Sequence, residues 1–315
     1  MDITVQTFEQ LARNFRKDFQ SGTDFVPGTD LSFLAQDYPS TGNSNVYPWL
    51  DANYRGWREW VGSRQAKELS AKGYELFNAN WEDTIHVPLS AVEDDNDGNL
   101  ALYSQRISGM KAGWQEKKYQ WGLLGMIENV KCFDGKAFFA TDHAYGANSI
   151  VNLVAQTFSK TYFEAAMAAA GGWKFADGIS CRSLFTHCVF GPSMYATVFG
   201  VLGAQRLSGQ EDNPNYNRCK MVQTDLLTGD YASYVLLVDG AKNIKPGLRQ
   251  IRKDGDVLID TNPATAVRVG YVDALGYARG AYGVTFPHLA YAFIPAAGAP
   301  AGAKAPAGDK GKDSK

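Results

Sequence analysis

The sequence predicts an α+β fold, on three observations. From Leu100 onward apolar side chains recur at spacings of three and four for about thirty residues, the signature of one long helix. Short alternating or continuous apolar runs, bounded by turn residues, cluster after residue 180 and read as strands. Two further helical stretches lie among those strands, so helices and strands are interspersed in the second half of the chain.

Taken in order, Phe8, Leu11, Phe15 and Phe19 fall three or four apart in VQTFEQLARNFRKDFQSG, an amphipathic helix that Gly22 can stop. A single apolar stripe on a terminal helix needs a surface to lie on. Residues 23–50 hold Pro27, Pro39 and Pro48 among turn residues and predict an extended arm with its contacts elsewhere. In WREWVGSRQAKELSAKGYELFNANWEDTIHVPL, Ile85, Val87 and Leu89 alternate with Thr84, His86 and Pro88, and Gly73 offers a turn. This predicts a two-stranded excursion over about 55–90, which needs another molecule or domain because an isolated hairpin is marginal in water.

VEDDNDGN offers helix caps, and Tyr103, Ile107, Met110, Trp114, Trp121 and Leu124 then line the long helix, about 45 Å at 1.5 Å per residue. Gly109, Gly113, Gly122 and Gly125 each weaken it by about 1 kcal/mol relative to alanine, which predicts close packing or bends. Helices follow at 161–172 and 191–207, with SLFTHCVFG (183–191) as a buried strand between them. DYASYVLLVDGAK is another strand, and AVRVGYVDALGYARGAYGVTFPHLAYAFIPA holds one or two more. Residues 296–315 lack large apolar side chains and predict a disordered tail.

At 315 residues with 45% hydrophobic content the chain can build a sizeable core. Its net charge of −2 supplies no field for gripping phosphate backbones, which argues against a nucleic-acid-binding module. No apolar run reaches the roughly 20 residues of a membrane span, and MDITVQTFEQLARNF is unlike a signal peptide, so a cytoplasmic chain is expected. Cys132, Cys181, Cys188 and Cys219, irregularly spaced, read as buried thiols. Seven tryptophans, sixteen tyrosines and seventeen phenylalanines suit large buried interfaces as well as cores.

The stretch CFDGKAFFATDHAYG (132–146) puts a thiol, a carboxylate at Asp142 and an imidazole at His143 close together. No thiol-hydrolase signature surrounds them, so a buried thiol and a turn histidine are the reading, and a cysteine-dependent hydrolase is the enzymatic alternative. His187 and Cys188, adjacent on a strand, point to opposite faces. His86, His143, His187 and His288 are scattered and no C-x-x-C occurs, so no metal site is predicted. Glu93, Asp95 and Asp97 match the start of a calcium loop, but Ser104 stands where its bidentate acid belongs, and an acidic helix-capping turn results. Without G-x-G-x-x-G, Walker or G-x-S-x-G motifs, no catalytic or cofactor-binding residue is assigned. Trp57, Arg58, Glu59, Trp60, Arg64, Lys67 and Lys72, with Glu68 and Glu75 interspersed, form a nearly balanced aromatic stretch and are read as a subunit-contact surface.

The runs WREWVGSRQAKELSAKGYELFNANWEDTIHVPLSAVEDDNDG and CFDGKAFFATDHAYG resemble the major head subunits of Mu-like phages and prophages, the gpT family. The resemblance covers about 50–146, with a looser fit in NIKPGLRQIRKDGDVL and the Gly/Tyr-rich late strands. That family is similar to the Hong Kong 97-type capsid proteins, which implies an N-terminal arm (1–52) and an extended β-hairpin loop (53–90) over a neighbouring subunit. It also implies a peripheral domain (91–146 and 236–295) with a spine helix at about 98–130, and an axial domain (147–235). In this reading F-D-G-K-A-F-F-A-T-D-H is a structural connection in which Phe133, Phe138 and Phe139 pack while Asp142 and His143 bond within a turn.

The resemblance implies a virion capsid protein, assembled in the host cytoplasm into hexamers and pentamers of an icosahedral shell around double-stranded DNA. A separate scaffolding protein, a portal and decoration proteins are the expected partners, with no cofactor and no membrane. An encapsulin-like compartment is the alternative on the same fold, distinguished by a cargo-peptide pocket. Lys67 and Lys72 lie in the hairpin, but no acceptor asparagine or activating glutamate is identified for an isopeptide cross-link.

Overall fold

The computed structural model describes residues 4–22, 25–51, 73–94, 99–207, 209 and 211–295. In it the first helix finds its surface within its own chain. Helix α1 (Val5–Gln20) starts at Thr4, whose side chain accepts from the Thr7 amide, and buries Phe8, Leu11, Phe15 and Phe19 against Ile107 and Met110. Next come β1 (Ala35–Pro39), β2 (Ser44–Tyr47), β3 (Tyr74–Phe77), β4 (Ala79–Pro88), the short helix α2 (Leu89–Glu93) and the long helix α3 (Asn99–Ile127). The second half holds β5 (His143–Tyr145), β6 (Asn148–Ile150), β7 (Leu153–Val154), α4 (Lys160–Gly172), β8 (His187–Phe190), α5 (Tyr195–Val198) and β9 (Lys220–Gln223). It ends with β10 (Val235–Val238), β11 (Gly247–Ile259), α6 (Pro263–Val269), β12 (Tyr271–Val284) and β13 (Ala290–Phe293).

Two main sheets form. The four-stranded one runs β1-β11-β12-β4, with β1 parallel to β11 and the other pairs antiparallel. The five-stranded one runs β7-β13-β10-β8-β9. Its alternate faces serve different cores: Phe190, Val235, Leu237 and Phe293 meet Phe163 and Ala166 of α4, while Val189, Leu236, Val238 and Ala292 meet Trp121, Leu123, Met126 and Ile127 of α3. The long helix therefore lies on α1 with its first half, while its second half packs on β11 and β12 of the four-stranded sheet and shares a core with the five-stranded one. Its glycines divide the same way. A Cβ on Gly125 would come 2.9 Å from the Gly283 carbonyl oxygen, whereas Gly109 and Gly113 face open space.

Several expectations need correction. Residues 74–88 are not half of a free excursion: β4 pairs with β12 from Ala79↔Gly280 to Pro88↔Tyr271, and β3 pairs with β2. The arm finds contacts within the chain, with Leu31, Leu34 and Leu50 buried and β1 added to the four-stranded sheet. Residues 236–238 and 290–293, assigned above to the peripheral unit, lie in the five-stranded sheet because the apolar β10 and β13 are paired, Val235↔Phe293 to Val238↔Ala290. The helix read over 191–207 forms over 192–203 as one uninterrupted run whose turns widen from 3-10 through α to π, and near its end the Phe199 ring fills the space a Cβ on Gly203 would need. Residues 263–269 open the late stretch as a helix, capped by the Asn262 side chain and ended by Gly270 at φ 81°. The tail, 296–315, lies outside the described residues.

Candidate functional site

The stretch 129–152 is where the cores meet. At the end of α3, Asn129 adopts a left-handed φ of 52°, and its side-chain amide both accepts from the Phe139 amide (2.6 Å) and donates to the Phe139 carbonyl (3.1 Å). A tight loop follows, with Gly135 at φ 80° and the Cys132 amide donating to the Lys136 carbonyl at 2.7 Å. Phe133 then packs against three of the molecule's hydrophobic cores. Asn152, fully buried, ties the loop down by donating to the carbonyls of Phe138 (2.8 Å) and Pro287 (3.1 Å) while accepting from the Ala140 amide (2.9 Å).

The titratable groups here are engaged separately. His143 is fully buried, with Nδ1 2.6 Å from Asp134 Oδ2 and Nε2 3.0 Å from the Phe138 carbonyl oxygen. Both neighbours are acceptors, an arrangement that an imidazolium, with a donor on each nitrogen, satisfies. Burial alone would raise the Asp134 carboxyl, but the hydrogen bond and charge of His143, with Lys136, hold it below its ordinary value. Asp142 bonds within the same turn, to Lys136 Nζ at 2.6 Å. Cys132 Sγ donates to the Thr285 carbonyl at 3.1 Å, and burial, with the Asp134 charge, pushes its thiol well up. A thiol held protonated by its surroundings, and a histidine whose nitrogens are both engaged elsewhere, do not make an activated nucleophile.

The second arrangement lies around residues 52–72. Trp57, Arg58, Glu59, Trp60, Arg64, Lys67 and Lys72 lie outside the described residues, but the two strands that flank them are paired in register, Tyr47↔Tyr74 through Ser44↔Phe77. Beneath this root runs a buried chain of hydrogen bonds. Tyr47 Oη donates to Gln250 Oε1 (2.8 Å), and Gln250 Nε2 donates to the Leu76 carbonyl (3.0 Å) and Asn78 Oδ1 (2.8 Å). Asn78 Nδ2 donates to Ser40 Oγ (2.8 Å), whose hydroxyl donates to Asn45 Oδ1 (3.0 Å). Gln250 is 0% exposed, and burial pushes the Tyr47 phenol up to about 12. Sequence reasoning missed Gln250 and Asn78; a lone glutamine among charged residues carries no visible signal until the sheet buries it.

Residues 8–163 match the family model described as the Mu-like prophage major head subunit gpT. This chain is related to the Mu-like major head subunits. It is 32% identical over 149 residues to the Mu-like prophage FluMu major head subunit of Haemophilus influenzae, 47% of each chain. It is 32% identical over 157 residues to the major capsid protein of Escherichia phage Mu, 48% of this chain and 50% of that one. The chain thus spans about half the length of the curated relatives it matches. The head-subunit match includes both the root strands and the 129–152 junction.

The fold extends further than the sequence match. The procapsid of bacteriophage JBD30 aligns with a TM-score of 0.52 at 21% identity, covering 92% of this chain and 76% of that one. The JBD30 capsid aligns with 0.52 over 67% of this chain and 95% of that one, and the mature capsid of bacteriophage PhiM1 with 0.51 at 8% identity over 87% and 89%. The fold of this chain is the Hong Kong 97-type capsid fold. Among the described residues, no helix is long and apolar enough to cross a membrane, and no group of three or more His, Cys, Asp or Glu could hold a metal ion.

Proposed function

We propose that this chain is the major capsid protein of a Mu-like phage or prophage, assembling into the hexamers and pentamers of an icosahedral shell around double-stranded DNA. The observation that carries the reading is the combination, in one molecule, of a head-subunit sequence over residues 8–163 with a capsid fold over 92% of the chain. Its role is structural, and the residues of its junction serve packing and polar satisfaction. Residues 52–72, with Trp57, Arg58, Glu59, Trp60, Arg64, Lys67 and Lys72, are the contact that reaches a neighbouring subunit. Residues 1–52 are the arm, 91–146 with most of 236–295 the peripheral unit, and 147–235 with β10 and β13 the axial unit.

Many modest contacts repeated by symmetry close such a container, and a nearly neutral wall leaves packed DNA free to move. A scaffolding protein that sets the curvature and a portal are the further partners, together with decoration proteins of the kind named for JBD30, whose capsid carries minor capsid protein trimers. Assembly takes place in the bacterial cytoplasm and the product resides in the virion. The test is negative-stain electron microscopy with analytical ultracentrifugation on the protein expressed alone and with its neighbouring genes. Closed particles, tubes or five- and six-fold rings are expected; a monodisperse monomer or dimer under every condition would overturn the reading.

A further inference from the structure

We infer that the arm is fastened to the five-stranded sheet by an acid-sensitive latch, in which uncharged His187 stacks under Phe33 and loosens residues 25–34 when it takes up a proton. The two rings lie 3.9 Å apart at 12°, and the Gly240 backbone abuts both, since a Cβ there would come 2.6 Å from His187 Nδ1 and 3.1 Å from Phe33 Cβ. Thr186 Oγ1 lies 2.9 Å from His187 Nδ1 and accepts from the Gly240 amide at 3.0 Å. An uncharged Nδ1 accepts the threonine's own proton. A protonated Nδ1 becomes a donor and turns that hydroxyl toward the Val238 carbonyl, 3.5 Å away.

The charged groups around the ring come from every element packed there. Lys220 of β9 and Lys245, ahead of β11, oppose a positive imidazole, while Asp30 of the arm and Asp239 after β10 favour it. Both acids have other partners: Asp30 accepts from the Ser32 amide at 2.9 Å, and Asp239 lies 3.5 Å from Lys242 Nζ and accepts from the Leu184 amide. Burial first, then Lys220 and Lys245, hold the ring's titration below its ordinary 6.5. The rest of the segment is held by the burial of Leu31 and Leu34 in the core shared with α3, by the Gly247 amide donating to the Leu34 carbonyl at 2.7 Å, and by three bonds nearer its start, Phe25 amide to Gln115 Oε1 (2.7 Å), Tyr119 Oη to the Thr29 carbonyl (2.9 Å) and Thr29 Oγ1 to the Gln223 carbonyl (2.9 Å). Because the docked state disfavours the proton, docking is full above pH 6.5 and is lost as the pH falls from there to the ring's own midpoint.

The experiment is hydrogen exchange on the full chain from pH 7.5 downward, corrected for intrinsic rates and referenced to α4. The reporter is the Leu34 amide, bonded to the Leu31 carbonyl. Its protection should drop by up to about tenfold per pH unit through that window, and should stay level in both His187→Gln and His187→Phe. Constant protection in the natural chain, or the same drop in the variants, overturns the latch. Should neither variant fold, the His187 ring titration read by NMR on the natural chain decides: the latch requires its midpoint to lie where the loss of Leu34 protection levels off, and a midpoint elsewhere refutes it.

Discussion

Asp134 and His143 stand nine positions apart and are brought together by a loop that closes on Cys132 and Lys136. Removing the carboxylate leaves His143 buried with an unmatched donor, so Asp134→Ala should lower unfolding stability by about 3–5 kcal/mol in denaturant titrations. The same pair gives an acid signature. The folded carboxyl titrates below its ordinary 3.8, so its contribution is complete above that pH and fades as the pH falls through the folded value. Acid unfolding curves of the natural chain should therefore show a loss of stability below pH 3.8 that is reduced in Asp134→Ala. Sequence reading had Asp142 and His143 bonding within a turn, which they do, but named neither Lys136 nor Asp134 as the partner. Residues next to each other at the start of β5 point to opposite sides, so the true partner had to come from across the loop.

At the scale of elements, the glycines of α3 separate packing from helix propensity. Gly125→Ala would drive a Cβ toward the Gly283 carbonyl and Val284 Cγ1, 2.9 and 3.3 Å away, and should destabilise by about 1–3 kcal/mol. Gly109→Ala meets nothing within 4 Å and should stabilise by up to about 1 kcal/mol. Thermal melts of the two variants, moving in opposite directions, check both. Three helices were legible because their apolar spacing is unbroken: α1, α3 and α4. The 13-residue strand β11 was not, because Arg249, Arg252, Lys253, Asp254 and Asp256 crowd it and register shifts between Ile251 and Asp256 disturb the period of two. The stretch 191–207 was also legible as helical, and it forms over 192–203, but its change of turn type along the run left no trace in the apolar spacing.

For the whole molecule, the root beneath residues 52–72 separates assembly from folding. Excising 55–70 leaves β2, β3 and the Gln250 network intact, so the product should melt as the natural chain does by circular dichroism yet form no shells under the microscope. Normal particles would contradict the contact assigned to this segment. A larger excision reaching residue 80 would remove β3 and the start of β4, and would report on folding instead. The long helix and the mixture of helices and strands after it were legible from the order of apolar runs, but the division into two sheets, and which sheet receives each late strand, was not, because β10 and β13 announce only that they are buried.

That shared helix also has a consequence during synthesis. Trp121, Leu123, Met126 and Ile127 leave the ribosome well before their partners on β10 and β13 exist. At about 5–20 residues per second, the roughly 110 residues between Ile127 and Val235 take several seconds or more to translate. For that interval the nascent chain carries a sticky face that only earlier residues such as Leu31, Leu34 and Trp81 can partly cover, and among chains made at high level on crowded polysomes that face is a point of contact for a chaperone or another unfinished copy.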